Sequence, residues 1–565
     1  MTWSIPESEP EIPVSLIQTT GLSQAALKLL VARGYQTPSA IRSLLSPGID
    51  DLHDPWLLPD MAKAAQRLAR AVRGKEGILI HGDYDVDGIT GAALLDLTLR
   101  RVGLKPQVFL PDRIEQGYGL SRTGIIRAKE SGCQVVLTVD CGTTDLEEAQ
   151  FARDLGLDLI VTDHHELPPD TALPQACAVI NPRRRDSAYP NPDLPGCGVA
   201  FKLAQALFTE MDIDPDAAFE HVELVGLAAV ADVVPLTGEN RVLARLGTTQ
   251  LTRTNKIGLR QLIRQTNLAG HPLGTHEIGF IIAPRLNASG RIANAHTAYR
   301  LLVTDDEDEA SQALAELEAA NAQRRTLQEQ VTKEIKAEVS SYSQLPHVLV
   351  LAREGWHPGV IGIVAGRITE EYYRPTIVIN LDQDQGRGSG RSIPGFHLHR
   401  ALEACASALE EFGGHEYAAG LIVRRANLDR FCALINQYAH KVLTPDMLIP
   451  RLVIDAKLRL ADIDHSLLEV LRLLEPYGPG NPEAVFAAFG LQVVGYPRVV
   501  GADHLKFTVR QDSSIYPAIA YRRAQDLLRL QPGKPDHLDI AFQIKTRPFQ
   551  GKTQTQLEVQ DLVPR

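Results

Sequence analysis

Cysteine is scarce here, with six residues in 565 and none in a CxxC spacing. That excludes a disulfide framework and a zinc knuckle, and suits a reducing compartment. No apolar run reaches the ~18 residues of a membrane-spanning helix, and the first residues, MTWSIPESEPEIP, lack the basic start and apolar stretch of a secretory signal. No membrane association and a cytoplasmic location are therefore expected. Aromatics are few, at 5%, and cations are outnumbered: the net charge is −11. Any contact with nucleic acid must be local, because neutralising phosphates takes clustered Lys and Arg. With 44% hydrophobic and 22% charged residues the chain reads as an ordinary folded protein, and its length implies about three or four domains.

From about residue 55 to 245 short apolar runs alternate with helical patterns: GILIHGD (77–83), PQVFLPD (106–112), CQVVLTVDCG (133–142), LDLIVTDHH (157–165) and CAVINP (177–182). This is the pattern of βα units on a parallel sheet. Residues 305–340 contain neither Gly nor Pro and predict one long helix. A second α/β unit follows, with Gly-rich loops expected near 386–395 and 413–420. Beyond PYGPGNPE (476–483) short strands spaced by turn residues predict a small β-barrel. The fold class is thus α/β with a C-terminal β-barrel. The expected division is an N-terminal helical segment (1–54), a parallel-sheet domain (55–245), a connecting helical region (246–340), a second α/β domain (341–448) and a nucleic-acid-binding barrel (449–565).

HGDYDVDGITG (81–91) carries the strongest chemical signal. A strand ending there delivers His81, Asp85 and Asp87 to the C-terminal edge of the sheet, where open α/β folds bind ligands. Asp83, Asp85, Asp87 and Gly88 also match the opening of a calcium loop, but its twelfth position, which needs a bidentate Glu, falls on Leu94. Asp140 ends VVLTVD, and Asp163, His164 and His165 end LDLIVTD, so three strands bring oxygen and imidazole donors to one edge. Asp232 interrupts the apolar GLAAVADVVPL (226–236). It needs either a cation or helix-end backbone donors.

In that order, HGDYDVDG, TVDCG, AspHisHis at 163–165 and AVADVVPL resemble the four signature motifs of the DHH phosphoesterase superfamily. PDRIEQGYGL (111–120), IAPRLNASGR (282–291), GWHPGVIGIVAGR (355–367), GSGRS (388–392), GGHEYAAG (413–420) and PYGPGNPE are similar to the pattern of the RecJ exonucleases within it. Ser289 stands where that pattern has Ala. The resemblance implies a DHH domain, a DHH-associated domain and an OB-fold, with two Mn²⁺ or Mg²⁺ ions at the sheet edge. It places His81 and Asp85 on one ion, Asp87, His164 and Asp232 on the other, and Asp140 between them. Asp83 and Asp163 then orient the ligands, and His165 faces the substrate phosphate, either to stabilise its charge or to protonate the leaving oxygen.

The implied activity is 5′ to 3′ hydrolysis of single-stranded DNA to mononucleotides in repair and recombination. A single-strand-binding protein and a DNA helicase are its implied partners. Arg113, Ser389 and Arg391 are expected to hold a 5′ phosphate beside Tyr118, with His415 in a Gly-rich nest and Arg285 and Asn287 along the DNA path. From 501 to the end ten Lys and Arg face seven Asp and Glu. Lys506 and Arg547 are the expected strand contacts there, and Phe507, Tyr516, Tyr521, Phe542 and Phe549 are base-stacking or core residues. The competing readings are another DHH enzyme, such as a pyrophosphatase, an oligoribonuclease or a cyclic-dinucleotide phosphodiesterase, and a non-catalytic scaffold.

Overall fold

The strands end where the apolar runs end. In the computed structural model, which describes residues 2–6, 10–168, 171–530, 537–549 and 552–565, apart from the side chains of 547–549 and 552–553, the chain forms two units. One comprises residues 49–448 with 478–480. The other comprises 1–48, 449–477 and 481–565.

The first unit opens with a five-stranded parallel sheet: β1 (Gly77–Gly82), β2 (Gln107–Phe109), β3 (Cys133–Val139), β4 (Asp158–Thr162) and β5 (Ala178–Ile180), ordered β2-β1-β3-β4-β5. Both faces are covered, which is why the strands are almost wholly apolar. Ile78, Ile80, Leu137 and Ile160 join the core under α1 (Val86–Arg101), α2 (Gly196–Glu210) and α3 (Val222–Ala231), whereas Leu79, Val136, Leu159 and Val161 pack on the opposite face with Ile125 and Ala149. The strand order reverses beside β1, so the loop after it opens onto a crevice.

The region expected to be a connector extends this core. Leu286 of α4 (Ala283–Ile292) and Leu259, Leu262, Leu301 and Leu302 around it share the cluster beneath α1. The predicted long helix is α5 (Glu307–Val339), started by Asp306, whose carboxylate accepts from the Glu309 amide. Its first half gives Ala310, Leu314 and Leu317 to the first core, and its second half gives Val331, Ile335 and Val339 to the second lobe. One helix therefore belongs to both lobes.

The second lobe is a mixed sheet of β6 (Leu349–Glu354), β7 (Thr376–Asp382), β8 (Gln385–Arg391), β9 (Glu411–Gly414) and β10 (Ala418–Arg424), ordered β9-β10-β8-β7-β6, with α6 (Pro358–Tyr372) against it. GRGSGR, expected as a loop, is the inner strand β8, paired on both sides. Its glycines answer to packing rather than to an anion. A Cβ on Gly386, Gly388 or Gly390 would stand 2.7, 3.0 or 2.7 Å from Ile379, Leu421 or Leu398. The 413–420 segment is likewise a β9–β10 hairpin, and the His415 amide is taken by the Ala418 carbonyl.

In the second unit β11 (Phe486–Val493), β12 (His504–Gln511), β13 (Ser514–Ala520), β14 (Leu538–Phe549) and β15 (Lys552–Pro564) close a barrel. β11 pairs with both β14 and β12, and the circuit runs through β15 and β13. Closure removes the exposed edges. The first 48 residues, expected to stand as a segment of their own, share this unit's core: Leu27, Leu29, Leu30 and Ile41 pack in one cluster with Phe486, Phe507 and Phe542. Among the described residues no helix is long and apolar enough to cross a membrane.

Candidate active site

The loop between β1 and α1 supplies Asp83 and Asp85, and the first turn of α1 supplies Asp87. Asp85 caps α1, accepting from the amides of Asp87 (2.9 Å) and Gly88 (3.3 Å). Asp87 accepts from Gly196 (2.6 Å) and Cys197 (2.7 Å) at the start of α2, whose approach requires Gly196, since a Cβ there would lie 2.8 Å from Asp140 Cβ. Asp140 follows β3 in the left-handed region at φ +64°, a strain tolerated where function demands it. Asp232 ends α3.

These groups form overlapping donor sets: Asp83, Asp85 and Asp140; Asp87, His164 and Asp232; and Asp140, His164 and His165. His164 Nε2 lies 3.1 Å from Asp140 Oδ1 and 3.7 Å from an oxygen of each of Asp87 and Asp232. Burial, then mutual repulsion among the carboxylates, pushes Asp140, Asp83 and Asp232 well above the usual carboxylate range and Asp87 up to about 7. Among the described residues, buried Oδ1 atoms of Asp83 and Asp140 accept no hydrogen bond. Carboxylates crowded in this way, with orphaned oxygens, fit divalent cations. Burial, helped by the charge on His165, holds His164 down at about 3, so its imidazole stays neutral and able to ligate.

The structure differs from expectation at His81 and Asp83. His81 is enclosed against Phe109 and accepts from the Ser121 amide at Nε2 (3.2 Å), with its Nδ1 3.9 Å from Cys141 Sγ. It joins none of the donor sets, and Asp83 stands in one instead.

Asp163 organises the AspHisHis turn. Its carboxylate accepts from the amides of Thr143 (2.9 Å), His164 (2.7 Å) and His165 (3.1 Å), and from His165 Nδ1 (2.8 Å). Burial works against ionisation, but the His165 hydrogen bond and both histidine charges outweigh it, and the carboxyl stays below its usual range. On His165 burial is likewise outweighed by Asp163 and by the charges of Asp232 and Asp83, which raise it to about 9. Tyr118 Oη lies 2.8 Å from the same Nδ1 and donates to the Asp140 carbonyl (3.3 Å). One Nδ1–H shared by the Asp163 and Tyr118 oxygens accounts for all three contacts.

Beyond His165, Arg391, Ser389, Arg113 and His415 gather in one neighbourhood. Arg391 Nη1 donates to Ser389 Oγ (3.3 Å), and Arg113 lies over the Tyr84 ring at 4.9 Å. Burial lowers Arg391 and His415, and the charge of Arg113 adds to the first as that of Arg391 does to the second.

Two expected DNA-path residues are otherwise engaged. Arg285 pairs with Glu318 (2.7 Å) and donates to the Ile281 carbonyl, while Asn287 Oδ1 accepts from the Val86 amide (3.1 Å) and ties α4 to the Asp85 loop. In the barrel Lys506 stands opposite Arg498 on the neighbouring strand, and the Arg547 and Phe549 side chains lie outside the described residues. Phe507 and Phe542 are core, Tyr516 packs against it, and Tyr521 is half-exposed beside His504. Sequence reasoning passed over Arg291, which closes IAPRLNASGR, although the motif itself was in view. It also passed over Asp145, which accepts from the Leu120 amide (2.6 Å) and so fixes the loop carrying Tyr118.

A parallel sheet that presents two overlapping carboxylate–imidazole sets at its C-terminal edge, under a second α/β lobe, defines a DHH-type phosphoesterase. Sequence profiles agree: the DHH family N-terminal domain matches residues 77–230, the DHHA1 domain 345–441 and the RecJ OB domain 454–561. The single-stranded-DNA-specific exonuclease RecJ of Bacillus subtilis is 34% identical, covering 99% of this chain and 70% of that protein. Its namesake in Escherichia coli is 34% identical over 90% of this chain and 91% of that one. The crystal structure of RecJ in complex with Mn²⁺ from Thermus thermophilus superposes with a TM-score of 0.84 at 29% identity, covering all of this chain and 79% of that one. The chain belongs to the RecJ exonuclease family.

Proposed function

We propose that this chain hydrolyses single-stranded DNA from its 5′ end and releases mononucleotides, using two Mn²⁺ or Mg²⁺ ions. The observation that carries the reading is the run of overlapping donor sets around Asp140 and His164, with the buried Oδ1 of Asp140 accepting no hydrogen bond among the described residues. Family membership and the relatives named for single-stranded DNA supply the substrate class. Asp83, Asp85 and Asp140 would hold one ion, and Asp87, His164 and Asp232 the other, with Asp140 between them and His81 fixing the loop from behind. Bound there, the ions supply Lewis acidity at the phosphate oxygens and acidify the attacking water.

The protein's own groups supply the rest. Asp163 holds Nδ1–H of His165, which leaves Nε2 as the nitrogen that gives a proton to the departing oxygen. Tyr118, pinned through Asp145 and Leu120, limits the swing of that ring. Arg391, Ser389 and Arg113, with His415 beside them, would grip a terminal 5′ phosphate at a set distance from the carboxylates, so that cutting proceeds from an end. Lys506 and Arg547 of the barrel would contact the phosphates of a single strand. On the family's account the reading extends to a cytoplasmic enzyme served by a single-strand-binding protein and a helicase. We divide the catalytic unit into a DHH domain (55–245), a connecting helical region (246–340) and a DHH-associated domain (341–448), and join residues 1–48 to the barrel of 449–565.

Product analysis with Mn²⁺ on 5′-labelled and 3′-labelled single strands tests reaction, substrate and polarity together. Labelled mononucleotide should appear at once from the 5′ label and only late from the 3′ label. The reverse order, or cleavage of short RNA or dinucleotides alone, would sink the reading.

A further inference from the structure

Helix α5 carries a cation held without a counter-charge. The Arg324 guanidinium is bound by two neutral amides of its own helix: Asn321 Oδ1 accepts from Nε (3.2 Å) and Nη2 (2.9 Å), and Gln328 Oε1 accepts from Nη1 (3.2 Å). No carboxylate pairs with it among the described residues. Asn321 is itself buried, with its carbonyl oxygen spent on this one side chain. Burying an amide costs free energy unless it is bonded, and an exposed Arg on a helix needs no such clamp. The pair therefore reads as a charge held in a fixed direction.

More positive charge lies in its neighbourhood. Among the described residues Arg291 on α4 has one side-chain hydrogen bond, Nη1 to the Gly359 carbonyl at 3.4 Å, and burial lowers it to about 9, with the charges of Arg113, Arg324 and Arg391 adding to the effect against Asp85. Arg324 is lowered too, by burial and then by Arg325 and Arg285. Arg285 differs from both, since Glu318 already neutralises it. Guanidinium groups converging without carboxylates are stable beside a polyanion and costly without one. Their place is also defined. α4 is tied to the catalytic loop by Asn287 and lies so close that a Cβ on Gly290 would come within 2.0 Å of the Tyr84 carbonyl oxygen.

We propose that Arg324, aimed by Asn321 and flanked by Arg291, binds an internucleotide phosphate of the single strand next to the linkage being cut, the role that the sequence pointed to for Arg285. The inference rests on the strand-cutting function argued above and adds a second anchor to the 5′-phosphate grip. Two anchors on one strand hold the scissile linkage taut between them, whereas one lets it swing.

The test uses the full-length chain with Mn²⁺ and 5′-phosphorylated single strands of about 12 nucleotides, long enough to span both anchors. Arg324→Gln should raise KM about 10- to 100-fold, the loss of a charge-assisted contact. It should also flatten the dependence of log KM on log salt by about 0.7, one phosphate's worth for a single strand. Arg324→Lys should restore the salt slope but only part of KM, and Arg285→Gln should leave the slope unchanged. Oligonucleotides with a single neutral methylphosphonate linkage, moved stepwise from the 5′ end, should locate the contact. At one position the wild-type KM rises to that of Arg324→Gln, and the variant is indifferent. A KM and slope within twofold of wild type, a raised KM with an unchanged slope, or additive losses at every position would each overturn the assignment. Wild-type protein that leaves single strands intact would instead overturn the function beneath it.

Discussion

Oδ1 of Asp140 and Nε2 of His164 stand 3.1 Å apart, and each residue belongs to two of the three donor sets. The pair is the junction of the site. Asp140→Ala should therefore reduce hydrolysis below a tenth of wild type in excess Mn²⁺, with circular dichroism unchanged, and calorimetry should find fewer bound Mn²⁺ ions. Activity above that level would show that the two sets work independently.

Asp145 gives a pH signature outside the donor sets. Burial, aided by the charges of Asp163 and Glu148, raises it to about 6 against the pull of the Leu120 hydrogen bond. A carboxyl raised on folding stabilises fully below its unfolded value of 3.8 and loses that contribution as pH climbs through about 6. Asp145→Asn keeps an acceptor for Leu120 without the charge. Its melting temperature should match wild type near pH 4 and exceed it at pH 7.5, by on the order of 1–3 kcal/mol in stability. A difference that does not vary with pH would refute this.

Removing the Arg391 guanidinium should erase the preference for 5′-phosphorylated over 5′-hydroxyl single strands. Two parallel charge-assisted bonds to a phosphate are lost, which costs about one to two decades in kcat/KM on the phosphorylated substrate. The readout is the ratio of initial rates on the two oligonucleotides for Arg391→Ala. An unchanged ratio would remove the basis for the pocket.

Neighbouring positions on α4 should respond oppositely. A Cβ at Gly290 meets backbone, the Tyr84 carbonyl, so Gly290→Ala must push α4 off the catalytic loop and break the Asn287 contact. Loss of at least ~3 kcal/mol of stability, or of most activity, is expected from overpacking against a rigid neighbour. Among the described residues Ser289 Oγ bonds only the Leu286 carbonyl within its own helix, so Ser289→Ala should stay within about 1 kcal/mol of wild type. Thermal melts with rate assays distinguish the two, and a tolerated Gly290→Ala would contradict the packing.

Residues 49–448 alone should fold and cut short single strands with Mn²⁺, with weaker, less salt-dependent binding to long ones. A chain ending at 448 that keeps residues 1–48 should fare worse, because Leu27, Leu29 and Leu30 lose the core they share with Phe486 and Phe542. Limited proteolysis should trim it from its N-terminus. Protection of residues 16–45 in that fragment would disprove the shared core.

What the sequence revealed was local. Each apolar run before His81, Asp140 and Asp163 is a strand with its donors at the sheet edge, and the run without Gly or Pro is α5. What it concealed depended on distant partners. Gly386, Gly388 and Gly390 look like loop residues until Leu398 and Leu421 arrive to fill the space of their side chains. Arg285 looks free until Glu318 comes round one face of α5, and nothing in the sequence shows that the Ser121 amide reaches His81 Nε2. Residue types announced the chemistry, but the order of the contacts was set by the fold.

The pairing of residues 1–48 with those after 449 also sets a schedule for the growing chain. At about 5–20 residues per second, a ribosome needs roughly 20–80 s to travel from the end of the first segment to the start of its partner. Throughout that interval the leucines of the opening helices have nothing to cover them. The catalytic unit, by contrast, has all but three of its residues in one stretch and can close while synthesis continues. The nuclease half is thus complete first, and the barrel half is finished only when the last strand, which ends at Pro564, leaves the ribosome.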